Sequence, residues 1–309
     1  MMVIKISNRD YKSIKSVAEK YACKTIENAS MKDFTTFYTG GICPLVVSPS
    51  GTEALSEILK VCKKSGVPYT VLGNGSNVLV SDDGIDGIVI HIADGLSKLT
   101  LTDENTIFCE AGLKLGTLCN FALENSLSGL EFAFGIPGSV GGAIFMNAGA
   151  YGGEMKDVVS RVYHIDRDGN EGSFTPDELL FGYRTSVYEN NGFIVTGVEF
   201  TLKKGDKAKI KETMNELLGR RKDKQPLEFP SAGSTFKRPE GHFAGALIEQ
   251  CSLKGKQIGG ARVSEKHAGF VINTGNATTR DILDLIEFIK ATVKEETGVT
   301  LSPEVRFLR

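Results

Sequence analysis

Residues 129–154 read GLEFAFGIPGSVGGAIFMNAGAYGGE, with eight glycines set among small and apolar residues. No regular helix or strand carries such a run cheaply, because each glycine inside an element is destabilising by roughly 0.5–1 kcal/mol relative to Ala. A chain keeps it where the backbone must turn sharply or let another surface come close. Backbone N–H groups converging in tight turns form concavities that attract anions, so a phosphate or pyrophosphate is the natural occupant. A loop that only packs is the alternative.

Other sequence features narrow the class. At 309 residues the chain is long enough for two or three domains. Its net charge of −2 gives no reason to expect a nucleic-acid or membrane partner. Glycine makes up 35 of its residues, about 11% against a typical 7% or so. Cys23, Cys43, Cys62, Cys109, Cys119 and Cys251 are scattered without a CxxC pair. Four of them lie among apolar neighbours and read as buried small hydrophobes, so neither a structural zinc site nor a disulfide framework is expected. Met1 to Lys15 lacks the apolar core of a signal peptide. No apolar run approaches about 18 residues, which makes the cytoplasm the expected location.

Taken in order, the spacing of Ile14, Val17, Ala18, Tyr21, Ala22 and Ile26 predicts a helix from a cap at Asn8 or Asp10 to about Glu27. A strand-like segment broken by Gly40 and Gly41 follows, then a helix at about Thr52 to Ser65. Residues 69–83, YTVLGNGSNVLVSDD, are two apolar runs around Gly73-Asn74-Gly75-Ser76-Asn77. That is strand–turn–strand, not the strand–turn–helix of a dinucleotide fingerprint. Its amides and the Ser76 and Asn77 side chains suit a phosphate, although Asn-Gly is also the commonest hairpin turn. Ile88 to Ile92 and Thr106 to Cys109 read as strands and Leu115 to Leu127 as a helix. Val158 to Ile165 and Phe193 to Leu202 alternate as strands. Lys203 to Asp206 reads as a linker and Lys207 to Lys222 as a charged helix. A helix from Thr279 to Thr297 is bounded by a Thr278/Asp281 capping box and by Gly298. Short strands alternating with helices predict an α+β fold in at least two units, with a boundary near Gly205.

Three polar positions could carry chemistry: Arg184 in FGYRTSVY, Ser234 in SAGSTFK, and Glu304 before Val305-Arg306-Phe307. An unpaired carboxylate in an apolar terminal strand is costly to bury. Taken singly, each has an ordinary alternative: a surface ion pair, a turn serine, an edge glutamate facing water. Ser234 is not in a G-x-S-x-G elbow, which argues against a hydrolase triad, and of four histidines only His267 sits in a promising loop. Metal-ligand spacings and a GxxxxGK[ST] loop are absent from the sequence.

Together, GNGSNVLV at 73–80, the stretch at 129–154, FGYRTS at 181–186, KQPLEFPSAGSTFKRP at 224–239, SEKHAGFVIN at 264–273 and PEVRF at 303–307 resemble the UDP-N-acetylenolpyruvoylglucosamine reductase family, in its type II branch. The resemblance runs from about Phe34 to the end. It departs at Gly40-Gly41-Ile42-Cys43-Pro44, where the family usually has GGPAD, and in a longer N-terminal helix.

The resemblance implies a two-subdomain FAD-binding fold of the p-cresol methylhydroxylase type followed by an α+β substrate-binding domain. In this sequence that means an N-terminal helical extension at 1–30, the FAD-binding domain at 31–205, the substrate-binding domain at 206–300 and a C-terminal strand at 301–309 carrying Glu304. It implies non-covalent FAD held by Gly73, Asn74, Gly75, Ser76, Asn77, Gly135, Pro137, Gly138, Ser139, Gly141 and Gly142. Asn147, Ala148, Gly149 and Ala150 lie nearer the ring. It implies catalysis by Arg184, Ser234 and Glu304, with Tyr183 and Lys224 holding the nucleotide substrate.

The implied reaction passes hydride from NADPH through FAD to the enolpyruvyl alkene of UDP-N-acetylenolpyruvoylglucosamine. Ser234 protonates the α-carbon, and Arg184 and Glu304 stabilise the enolate. That places the enzyme in peptidoglycan precursor synthesis, and so in cell-wall biogenesis, cell shape, division and the cell cycle. Two readings compete. One is another FAD oxidase or dehydrogenase of the same fold acting on a sugar or alcohol, a class that often tethers flavin through His or Cys; the glycine stretch holds neither. The other is a non-catalytic nucleotide-binding module.

Overall fold

A computed structural model describes residues 8–309, with side chains from Tyr11 onward. The chain forms two compact units. The first comprises the segment ending at Asn28, Pro44–Asn74 and Asp86–Leu218; the second comprises Ala29–Cys43, Gly75–Ile85 and Gly219–Arg309. Their final division falls within the helix Lys207–Lys224.

The first unit has two layers of helix on sheet. Strands Ile42–Ser48, Ile88–His91 and Tyr69–Leu72 run parallel, with Ile88–His91 in the middle. Parallel strands of one sheet need a crossover, and the helix Thr52–Ser65 makes it from Ile42–Ser48 to Tyr69–Leu72, on either side of Ile88–His91. Its buried residues Leu55, Ile58 and Leu59 join Ile14 and Ala18 of the helix Asn8–Lys20 in one core. A five-stranded antiparallel sheet follows, in the order Glu171–Phe174, Val159–Ile165, Ile194–Thr201, Thr106–Glu110, Leu99–Leu101. Val162, Val198, Phe200, Ile107 and Cys109 point from it into the same core, with Leu115, Leu118, Val140 and Ile144 from the helices Leu115–Glu124 and Val140–Phe145. Each fully buried aliphatic side chain contributes about 1.5–3 kcal/mol.

Three local expectations differ from what forms. The first helix stops at Lys20, and Ala22 takes a left-handed φ of 51°. Lys24–Ser30 is instead an edge strand of the parallel sheet, with Ile26 51% exposed. Helical spacing at Ile26 is a coincidence overridden by pairing across the sheet. The expected cap at Asn8 or Asp10 falls on side chains outside the described residues. The helix at Leu115 ends at Glu124, where Ser126 turns with φ 55°. Leu127–Ser128 then pairs with Lys203–Lys204, so part of the expected linker is a short strand.

In the second unit the strands Gln257–Ile258, Ala261–Val263 and Val271–Asn273 form an antiparallel sheet. The helix Thr279–Thr297 packs on it through Ile282, Leu285, Ile286 and Ile289. That helix has the expected bounds: Thr278 and Asp281 form the capping box and Gly298 ends it at φ 75°. Asp82 adds a second cap, accepting from the amides of Thr279 and Arg280 at 2.9 and 2.8 Å. Val78–Val80 pairs in parallel with Arg306–Leu308 near the chain's end. The 73–77 turn is therefore no hairpin, because its flanking strands pair with other partners.

Candidate active site

In the first unit, strand Tyr69–Leu72 ends at Gly73-Asn74, and the Asn74 Nδ2 donates to the Pro137 carbonyl at 2.8 Å. That bond ties the two glycine turns together. Gly135 supplies φ 88° before Pro137. Ser139 is buried and caps the helix Val140–Phe145, its Oγ accepting from the Gly142 amide at 3.4 Å. A Cβ on Gly73 would collide with that Oγ. Several amides are already engaged: Gly138 donates to Ile136, Val140 to Leu113 and Gly141 to Ala111, all at 2.8–2.9 Å.

The paired glycines 141 and 142 serve different ends. A Cβ on Gly141 would sit 2.9 Å from the Ala111 Cβ, so its hydrogen is needed for packing within the protein. Gly142 is exposed, and a Cβ there would meet nothing closer than Ser139 Oγ at 3.4 Å. Glycine in a helix costs close to 1 kcal/mol relative to Ala. No contact within the chain requires that cost at Gly142, whereas a phosphate group approaching the backbone from outside would. By that observation the turn fits the FAD expected there.

The Asn147 backbone is left-handed (φ 41°) and the residue is buried. Its Nδ2 donates to Glu154 Oε2 at 2.6 Å and to the Gly182 carbonyl at 3.0 Å, and its Oδ1 accepts from the Lys156 amide at 3.0 Å. Both amide hydrogens are thus engaged inside the protein. Ala148 donates through its amide to Ala143, and Gly149–Ala150 pairs with Gly153–Glu154. Arg184 occupies the third place of the turn Gly182–Thr185 with φ 57°, a conformation turns usually give to Gly or Asn. Its Nη2 donates to the Gly149 carbonyl at 3.0 Å, and its guanidinium lies 5.4 Å from the ring of the exposed Tyr183. This unit therefore gathers the glycine stretch, Tyr183 and Arg184.

In the second unit Gly75 takes φ 62°, and a Cβ there would strike the Phe34 carbonyl. Ser76 and Asn77 complete the turn, and Asn77 Nδ2 donates to the Glu304 carbonyl at 3.2 Å. The Arg306 amide returns to Asn77 at 3.0 Å. Ser234 is exposed between Gly233, at φ 74°, and the buried Thr235. Thr235 is held on three sides: its amide donates to Gly269, its Oγ1 accepts from Val271, and its carbonyl accepts from Glu304. Glu304 itself is not in a strand; it lies between the Phe236–Pro303 bridge and Arg306–Leu308. At the departure from the family pattern, Ile42 is half exposed and Cys43 fully buried.

Lys224 is exposed at the end of its helix. It bears on His267, whose pKa is lowered chiefly by burial, with smaller contributions from Lys254 and Lys224. The Gly269 amide donates to His267 Nδ1 at 3.1 Å, which leaves the neutral ring's proton on Nε2. Burial pushes Cys62 and Cys119 up to about 12, and the six cysteines are free, so these two thiols are inert as nucleophiles. Sequence reading missed Glu154 and Thr235. The Glu154-x-x-Asp157 spacing is a legible signal for the first, since the two side chains form a capping box.

Residues 225–308 match the family model described as UDP-N-acetylenolpyruvoylglucosamine reductase, C-terminal domain, and residues 43–172 match the FAD binding domain. The UDP-N-acetylenolpyruvoylglucosamine reductase of Clostridium novyi (strain NT) is 48% identical over 297 residues, 96% of this chain and 95% of that protein. Its counterpart in Syntrophomonas wolfei is 48% identical over 279 residues, 90% of this chain and 93% of that one. The crystal structure of the Thermus caldophilus reductase superposes with a TM-score of 0.80 at 37% identity, covering 93% of this chain and 99% of the other.

Proposed function

Because the chain belongs to the UDP-N-acetylenolpyruvoylglucosamine reductase family, we propose that its chemistry falls to Arg184, Ser234 and Glu304. The protein is an FAD-containing, NADPH-dependent oxidoreductase that reduces UDP-N-acetylenolpyruvoylglucosamine to UDP-N-acetylmuramate, in peptidoglycan precursor synthesis. Its fold is the α+β FAD-binding type of p-cresol methylhydroxylase. The observation that carries this is 48% identity across 96% of the chain. No described helix is long and apolar enough to cross a membrane. We place the reaction in the cytoplasm, with its consequences for cell shape, division and the cell cycle.

FAD, when bound non-covalently, would supply the hydride chemistry that links NADPH to the enolpyruvyl alkene. The turns at 73–77 and 135–142 hold its pyrophosphate, a reading supported by the outward, sterically unneeded glycine at 142. Residues 147–150 stand nearer the ring. In this account residues 31–205 serve the cofactor, 206–300 the substrate, and the last nine residues bring in Glu304, with 1–30 an extension.

The remaining work belongs to side chains. Negative charge builds on the α-carbon and carboxylate of the substrate as hydride arrives. The fixed guanidinium of Arg184 lowers that barrier together with Glu304, the latter protonated or acting through a water, since groups aimed at developing charge supply the largest catalytic term. Ser234 gives the α-carbon its proton; its exposure beside the pinned Thr235 suits a donor that must reach substrate. Lys224, as a point charge, and Tyr183 hold the uridine diphosphate.

The test is direct. Purified protein should be yellow, release intact flavin on denaturation, and under anaerobic conditions turn over NADPH beyond one equivalent per flavin only when UDP-N-acetylenolpyruvoylglucosamine is added. Oxygen-consuming turnover of a sugar or alcohol would favour the oxidase reading instead.

A further inference from the structure

Arg184 holds an unfavourable backbone conformation, at φ 57°, in a turn closed by the mutual Gly182–Thr185 bridge. Non-glycine residues persist there only where the surroundings over-determine the chain. Two bonds join that turn to the 147–149 segment: Asn147 Nδ2 donates to the Gly182 carbonyl at 3.0 Å, and Arg184 Nη2 donates to the Gly149 carbonyl at 3.0 Å. The same Asn147 amide holds Glu154 Oε2 at 2.6 Å, and its oxygen holds the Lys156 amide. Glu154 is fixed in turn by Lys156 Nζ at 3.0 Å and by the capping box with Asp157. Ser186 Oγ ties the far side of the turn to the Phe145 carbonyl at 2.9 Å. One buried side chain therefore fastens the end of the glycine stretch to both the 149–154 hairpin and the arginine turn.

We infer that Asn147 is a positioning residue for Arg184: its amide fixes the Gly182 carbonyl, and so the direction of the guanidinium, rather than reaching FAD. This rests on the catalytic role given to Arg184 above. Residues that hold a catalytic group act through its placement, and a shift of about 1 Å can cost on the order of 100-fold in rate.

The exchange Asn147→Asp with Glu154→Gln isolates the decisive bond. The glutamine introduced at position 154 can donate to the aspartate introduced at position 147, which restores the hairpin link with the charge count unchanged. The new aspartate, however, presents only acceptors to the Gly182 carbonyl. The double variant should keep its FAD content, and its melting temperature should fall less than that of Asn147→Asp alone, because the link to position 154 is restored. Its kcat should fall about 10- to 100-fold, with little change in KM for NADPH, and trypsin should cleave after Arg184 faster than in the wild type. Added to Arg184→Ala, the exchange should cost nothing further, because the residue it positions is gone. Asn147→Asp alone should lose kcat by at least as much as the exchange.

Wild-type kcat in the exchange variant would overturn the inference, as would losses that multiply with Arg184→Ala or a loss of flavin with Arg184 left protected from trypsin. If Arg184→Ala alone kept full kcat, the catalytic reading of Arg184 would be what failed, taking this inference with it. A low Arg184→Ala with multiplying losses would sink the inference alone.

Discussion

The backbone N–H of Glu304 donates to the Thr235 carbonyl at 2.8 Å, fastening the residue after Ser234 to the segment that bears the carboxylate. The Phe236–Pro303 bridge and the Lys237 amide, which donates to Ser302 at 2.9 Å, extend this pairing. The segments that bear two proposed catalytic residues, far apart in sequence, are therefore joined by main-chain bonds. Glu304→Gln should accordingly leave the melting temperature unchanged while lowering turnover on the order of 100-fold. A melting curve beside a steady-state assay reads both. A fall of many degrees in melting temperature would mean the carboxylate is structural.

Gly141 and Gly142 should separate packing from cofactor binding. A Cβ at Gly142 meets nothing in the chain closer than Ser139 Oγ at 3.4 Å, so Gly142→Val should fold at near wild-type stability yet purify without flavin. Gly141→Val drives a side chain into Ala111 and should lower the melting temperature whether or not flavin is present. Absorbance ratios of flavin to protein, with thermal melts of each variant, check this. Full flavin occupancy in Gly142→Val would move the pyrophosphate elsewhere.

Lys224 should matter for binding more than for chemistry. Lys224→Ala should raise KM for the uridine diphosphate sugar with kcat nearly kept, the mark of lost uniform binding. As Lys224 is exposed, the wild-type advantage should shrink in high salt. An unchanged KM would place the nucleotide away from this helix end.

His164 makes acid stability testable. It is buried, with Nδ1 3.0 Å from the buried Tyr188 hydroxyl and Phe174 and Phe193 packed against its ring. Burial lowers its pKa below the ordinary histidine value. The unfolded chain therefore takes up a proton that the folded one refuses. Its contribution to stability is full above about pH 6.5 and is lost as pH falls below that, by at most about 1.4 kcal/mol per pH unit for one proton. His91 and His267 have the same sign. Melting temperature should drop between pH 7 and 5, and His164→Gln should flatten that slope. An unchanged slope would show that His164 does not carry it.

Local chemistry explains what could be read in advance. The helix Thr279–Thr297 announces both ends through Thr278, Asp281 and Gly298, and all three act as expected. Six motifs in order were enough for the family. What local pattern could not show depends on partners distant in sequence. Lys24–Ser30 is a strand only because a sheet accepts it. Gly141 and Gly142 look alike in sequence, but the first faces Ala111 and the second is exposed, with only Ser139 Oγ in contact range of an added Cβ. Asn147 reads as one more polar residue of a cofactor loop, and its ties to Glu154 and Gly182 appear only when the chain is folded.

The most direct measurement is stopped-flow flavin absorbance of Ser234→Ala under anaerobic conditions. Reduction by NADPH needs no proton from Ser234, so the variant should bleach at the wild-type rate. On adding UDP-N-acetylenolpyruvoylglucosamine, colour should return at least about 100-fold more slowly than in the wild type. Ser234→Cys should recover part of that rate, because a thiol can still donate, whereas Ser234→Cys should not rescue Glu304→Gln. Equal slowing of both phases in Ser234→Ala would contradict the account and make Ser234 a binding or structural residue.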